Sequence, residues 1–174
     1  MPNSTLTAAL QEAYAAAPDN VVLLHTLEIR HPSFAAPIRV VRDHEDLVAK
    51  LEATAPLNPN QNVTFTRFVF DFELPEVGDR PNPEIVIKID NVDRSIVQNI
   101  ELAMSNPQVI EITYRPYLST DLTAPQMNPP LTMQVKSIEA DVFSVTARCG
   151  FQDFANKKFP ADEYTIKRFP GLAL

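Results

Sequence analysis

Three histidines, a handful of carboxylates and one cysteine are the residues here whose types could do chemistry. Histidine can ligate a metal or carry a proton near neutral pH. His25 alternates with Leu23 and Leu27, so a core histidine satisfied by hydrogen bonds is expected rather than a ligand. His31 precedes Pro32 in a turn and is expected to be solvated. His44 stands in Asp43-His44-Glu45-Asp46, a set of metal-binding residue types. Sequence neighbours rarely converge on one ion, however, and no His-x-x-x-His spacing accompanies them, so no metal is expected. Asp90, Asp93 and Glu101 could serve as paired acids across a cleft. Capping of a helix by Asn91 or Asp93, with Arg94 placed to pair with Asp90 or Asp93, accounts for the same residues more simply. Ser33, Ser95, Ser137 and Ser144 lack a Gly-x-Ser-x-Gly frame. Cys149 alternates with Ala147 and Val145, which predicts a buried thiol. The expectation is a protein with no catalytic residues and no cofactor, and not an enzyme.

Composition points the same way. The chain holds only three glycines, Gly78, Gly150 and Gly171, against 16 prolines. Phosphate-cradling loops and nucleophile elbows need glycine where the backbone bends tightly or approaches a ligand. Proline instead stiffens connections. A length of 174 residues with 45% hydrophobic and 21% charged residues suits one domain, with or without an arm. The net charge of −7 argues against a phosphate-binding surface, though not against one past which DNA slides. One cysteine permits neither an internal disulfide nor a multi-cysteine metal centre. The opening Met1-Pro2-Asn3 lacks the basic patch and apolar run of a signal peptide, and no apolar run nears the ~20 residues of a membrane span. Synthesis in a cytoplasm and no membrane insertion are expected.

The elements that must position these residues read as follows. A helix is predicted over 5–17, with Leu6, Leu10 and Tyr14 on one stripe and Ser4 or Thr5 as cap. Strands over 21–29 and 37–42 make a hairpin. Leu47, Val48 and Leu51 suggest a short helix over 43–52, and a Pro/Asn-rich loop follows to 62. The longest strand is expected over 63–74, with a bulge near Thr66-Arg67 because the buried parity switches from Val63 and Phe65 to Phe68, Phe70 and Phe72. In the unit 84–105, Ile85, Ile87 and Ile89 alternate with Glu84, Lys88 and Asp90 as in a strand with one wet face. Ile96, Ile100 and Ala103 then fall on a helical stripe. A strand over 108–117 sets Ile110, Ile112 and Tyr114 against Glu111, Thr113 and Arg115, and a hairpin joins 131–138 to 142–149. The fold class predicted is α+β and β-rich: an antiparallel β-sandwich or partial barrel with two flanking helices. Residues 1–150 form that domain. Residues 151–174 form an extended C-terminal arm whose Phe154, Phe159, Tyr164 and Phe169 are the candidate docking residues. The arm either docks on another surface or packs back on its own sandwich, and both hold if subunits exchange arms.

The runs 37–43, 68–75 and 87–96, with Phe159-Pro160-Ala161-Asp162-Glu163-Tyr164-Thr165 and Phe169-Pro170-Gly171, resemble a family of small tail-tip or baseplate proteins of long-tailed phages and prophages. That family is catalogued as a domain of unknown function. The order of elements is also similar to the N-terminal hub region of the lambda-type minor tail protein L. There the equivalent of 159–169 leads into a cysteine-rich iron–sulfur domain; with Cys149 as the one cysteine here, the cluster is expected to be absent, supplied elsewhere or replaced by another protein. The resemblance implies a structural virion component assembled in the host cytoplasm. It implies a homo-oligomeric ring around the tail axis, trimeric rather than hexameric. The implied neighbours are a distal tail or tube protein, a tape measure and a central tip or fibre protein, with DNA passing unbound. The alternatives are a hexameric distal tail or tail-completion protein, and an assembly chaperone absent from the virion.

Overall fold

The computed structural model describes residues 5–16, 20–73, 84–90, 103, 106, 108–141 and 144–151. Among these residues a helix, α1 (Ala8–Ala16), precedes nine strands. These are β1 (Leu23–Arg30), β2 (Ile38–Val41), β3 (Leu47–Lys50), β4 (Asn62–Arg67), β5 (Phe70–Glu73), β6 (Glu84–Asp90), β7 (Glu111–Leu118), β8 (Leu131–Ala140) and β9 (Ser144–Gly150). They form one open sheet in the order β3-β4-β2-β1-β7-β8-β9-β6-β5. Every neighbouring pair is antiparallel except β2–β4, which run parallel over Val40↔Thr66 and Val41↔Arg67. The protein is therefore β-rich α+β, as the sequence predicts, with a sheet that curls on itself without closing. Of the two predicted helices, the second falls largely outside the described residues, as do its proposed caps Asn91 and Asp93; Ala103 alone stands there, helical and buried.

The curl follows from where the apolar residues lie. Odd-numbered Leu27 and Ile29 of β1 face Ile112 and Tyr114 of β7, and the same core takes Ile85, Ile87 and Ile89 of β6 with Val145, Ala147 and Cys149 of β9. Val40 of β2, third in the strand order, and Phe70 of β5, the last, join the same core, so strands far apart in the order share one interior. A second core lies on the other face of β1 and β7, where Leu24, Val41 and Tyr117 meet Leu47, Ala49, Val63 and Phe65 of the β3–β4 hairpin. The covalent link between the two ends of the sheet is short. β4 pairs beside β2, Phe68 donates its N–H to Val41 O at 2.9 Å, and after Val69 the chain joins β6 as β5.

Several sequence expectations need correction. The helix predicted over 43–52 is a turn followed by β3. Leu47, Ala49 and Leu51 are buried at a period of two while Val48 points out, and β3 pairs with β4 from Leu47↔Phe65 to Lys50↔Asn62. A helix of that length is marginal by itself, whereas the hairpin buries the same leucines. The long strand with a bulge is two strands, broken at Phe68-Val69, because its halves pair with different partners. The cap of α1 is Thr7, whose Oγ1 accepts the Leu10 N–H at 3.3 Å. β8 runs on to Ala140 and β9 starts at Ser144, each two residues further on than predicted, and Asp141 donates its N–H to Ser144 O. His31 is buried rather than solvated: its Nε2 meets Gln108 O at 3.1 Å and its Nδ1 accepts the Ser33 N–H at 3.2 Å.

Candidate functional site

The expected wet face of β7 is not wet. Thr113 and Arg115 are buried, and so is Glu28 on the neighbouring strand, because the segment after β3 folds over them. Strand register assembles the cluster. Thr26↔Arg115 and Glu28↔Thr113 face each other across β1–β7, and Glu28↔Arg39 across β1–β2. Glu28 Oε2 accepts from Arg39 Nε at 2.7 Å, and its Oε1 lies 3.4 Å from Arg115 Nη1 and 3.6 Å from Arg30 Nε. Those last contacts are electrostatic, because the three atoms make no hydrogen bond. Arg115 forks onto Glu52 with two bonds of 2.8 Å, fastening the 51–61 segment to β7. Asn58, in the left-handed region at φ 55°, accepts from Arg39 Nη2 at 2.9 Å.

Electrostatics commit this cluster to holding rather than to proton transfer. Burial pushes the Glu52 carboxyl up, but its hydrogen bonds with Arg115 and the charges of Arg115 and Arg30 win and hold it below the usual value. Burial opposes the charge of Arg115, and the two glutamates more than restore it. Both ends of the fork therefore stay ionised. Arg115 and the aliphatic second core share one face of β7, with Tyr117 donating its hydroxyl to Lys50 O at 2.9 Å. Lys50 also donates its N–H to Leu122 O. With both its backbone groups taken, Lys50 blunts the edge that β3 exposes.

A different environment lies under α1. Leu6, Leu10 and Tyr14 line a cavity of about 460 Å³ whose sheet side includes Leu27, Phe72, Ile85, Ile87 and Met133, with Met127 of the β7–β8 connection beside them. Its polar feature is His25, whose Nδ1 is 2.8 Å from the Tyr114 hydroxyl and whose ring meets Phe72 edge-on at 5.2 Å. Burial, and then the charge of Arg42, lower the His25 pKa below its usual value, favouring the neutral ring. Burial, reinforced by the nearby Tyr14 phenol, raises the pKa of Tyr114. The helix is pinned by its start: Thr7 donates its N–H to Gln126 O at 3.0 Å and its Oγ1 bonds Gln126 Oε1 at 2.6 Å, beside a Leu6↔Met127 bridge.

The residues singled out in the sequence distribute as follows. His25 is half-buried and hydrogen-bonded to Tyr114, a satisfied structural histidine as expected. Burial raises the Cys149 thiol to about 12, so it stays protonated at neutral pH. Asp43, His44, Glu45 and Asp46 are exposed; Asp46 accepts the Arg67 N–H at 2.8 Å, and among the described residues no group of three or more metal-ligating side chains forms. Phe154, Phe159, Tyr164 and Phe169 lie outside the described residues. Sequence reasoning missed the Glu28–Arg115 cluster and the cavity. Thr26, Glu28 and Arg30 share one face, opposite to Leu27 and Ile29, and that pattern does not show which charged residues the strand pairing brings against Glu28.

A family model described as a domain of unknown function, DUF1833, matches residues 9–164. The chain belongs to that family. The DUF1833 match takes in α1 from its second residue, all nine strands, and Phe154, Phe159 and Tyr164, but not Phe169. No curated protein matches the chain in sequence. Among the described residues of this DUF1833 member, no helix is long and apolar enough to cross a membrane.

Proposed function

We propose that this protein is a structural component of a phage tail tip or baseplate. It assembles as a trimeric, hub-like ring around the tail axis, between the tube and the distal tip proteins. The observation that carries the reading is the sequence resemblance over 37–43, 68–75, 87–96, 159–165 and 169–171 to the small tail-tip proteins. The geometry supports it in kind. Glu28, Glu52 and Arg115 are spent on fastening strands and the 51–61 segment to one another, which suits a subunit that must keep its shape under load. Head-to-tail contacts close a ring when the rotation between subunits divides the circle. With a net charge of −7, a lumen-facing acidic surface repels DNA as it passes.

Mass spectrometry of purified virions, followed by an averaged image of the tail tip, tests the reading. The expected result is the chain in mature particles, in a three-fold ring. Six-fold symmetry would move it to the distal tail or tail-completion role. Absence from particles that need it to assemble would make it a chaperone and end the structural proposal.

A further inference from the structure

Among the described residues that line the cavity under α1, His25 is the one whose charge changes in mild acid; the others are apolar or phenolic. Its Nδ1 is 2.8 Å from the Tyr114 hydroxyl of β7, and the Tyr14 phenol of α1 lies against that of Tyr114. Its ring meets Phe72 of β5 edge-on. The charge that acts on it is Arg42, just after β2, which has the wrong sign to hold a proton. Asp71 of β5 is engaged by Arg42, and Glu12 of α1 is exposed. Asp121, in the β7–β8 connection, is engaged by Thr123 and Gln126. We propose that α1 is a lid that mild acid releases from the sheet, with His25 as its sensor.

Two features make the helix the part that yields. β1 is paired along its whole length with β7, so His25 cannot leave the sheet without breaking that ladder. α1 has nine residues, buries Leu10 alone, and is tied at its start through Thr7 and Gln126. A helix that short is marginal by itself, and lifting it lets water reach the ring. An imidazolium under the closed helix sits among Leu27, Phe72, Ile87 and Met133 without a counter-charge, whereas in the open form water solvates it. The closed form holds the His25 pKa below 6.5 through burial and then Arg42, so the open form takes up the proton first. Opening therefore grows as pH falls below 6.5, by up to about tenfold per pH unit, and levels off at the closed-state value. The Asp121 carboxyl, beside the tether, is held below its usual range by its bonds with Thr123 and stays ionised across this interval.

Hydrogen exchange of the full chain, read by mass spectrometry at about pH 7 and about pH 5 and corrected for the intrinsic pH dependence of exchange, tests this. Protection of α1 is expected to fall by that factor while β1 and β7 keep theirs. Fluorescence of anilinonaphthalene sulfonate should rise over the same interval as the apolar lining is uncovered. In His25→Gln, α1 protection and dye signal are expected not to change with pH. Should that variant not fold, the wild-type chain decides by NMR: the rise in α1 exchange must level off where the His25 ring titrates, not where His31 or His44 does. Constant α1 protection, an equal loss in β1 and β7, a loss that persists in folded His25→Gln, or a rise that follows another histidine overturns the proposal. None of these readouts depends on virions, so they stand apart from the test of the tail assignment.

Discussion

Glu28 concentrates the energetics of the molecule in one side chain. It is fully buried, and three arginines surround it. Removing one partner of a buried ion pair strands the others, which costs about 3–5 kcal/mol. Glu28→Gln is therefore expected to lower the unfolding free energy by that amount in urea titrations; a loss under ~1 kcal/mol, typical of an exposed pair, would mean that water reaches the cluster. Glu52 supplies the pH dependence on the acid side. Its carboxyl is held below 4.5, so its contribution is complete above that pH and is lost as pH falls through the lower folded value. Glu52→Gln should flatten the stability–pH curve below about 4.5. His25 acts higher. Its folded pKa is depressed below 6.5, so the unfolded chain takes up the proton first and stability falls as pH drops below 6.5. Replacing it, as in His25→Gln, should remove that slope from thermal melts between pH 7 and the depressed value.

At the scale of elements, α1 shows how a weak helix is made definite. Nine residues are too few for a helix to be stable in water. Only Leu10 of the element is buried, and the rest of its placement comes from Thr7, which caps the helix and ties it to Gln126. Losing a cap and one partly buried hydrogen bond costs about 1–2 kcal/mol. Thr7→Val is expected to speed amide exchange in α1 by roughly tenfold while β1 and β7 keep their protection. Equal acceleration in the strands would show that the helix is part of the global folding unit. β3 teaches the complementary lesson. Its edge is short and covered at Lys50 by Leu122 and Tyr117, so sheet-to-sheet addition at this edge is disfavoured.

For the whole molecule, the question is what holds the curled sheet where β5 returns towards β2. Arg42 Nη1 and Asp71 Oδ1 bridge this seam at 3.1 Å, but their side chains are 50% and 71% exposed. Phe70, beside them in sequence, is 2% exposed in the first core. Magnitudes decide between them. Asp71→Asn should change stability by less than about 1 kcal/mol, and Phe70→Ala should cost about 3–5 kcal/mol. A reversed ranking in chemical denaturation would mean that charge, not apolar burial, keeps the sheet curled.

Period-two alternation is a local property, and the sequence by itself determined what depends on it. Ile85, Ile87 and Ile89 were legible as the buried face of β6, Cys149 as a buried thiol, and the β1–β2 and β8–β9 hairpins as hairpins. The parity switch near Thr66-Arg67 also marked a true break, two residues early. Only the tertiary structure decided the rest, because it depends on which strand lies beside which. Leu47 and Leu51 suit a helix or a strand equally until Phe65 pairs with Leu47 and Val63 with Ala49. Glu28 and Arg115 look solvated until register sets them face to face and the 51–61 segment covers them. The cavity under α1 has no sequence signature at all, since Tyr14, His25, Ile85 and Met133 meet there from four separate elements. Alternation says which face of a strand is apolar; the curl of the sheet decides what that face encloses.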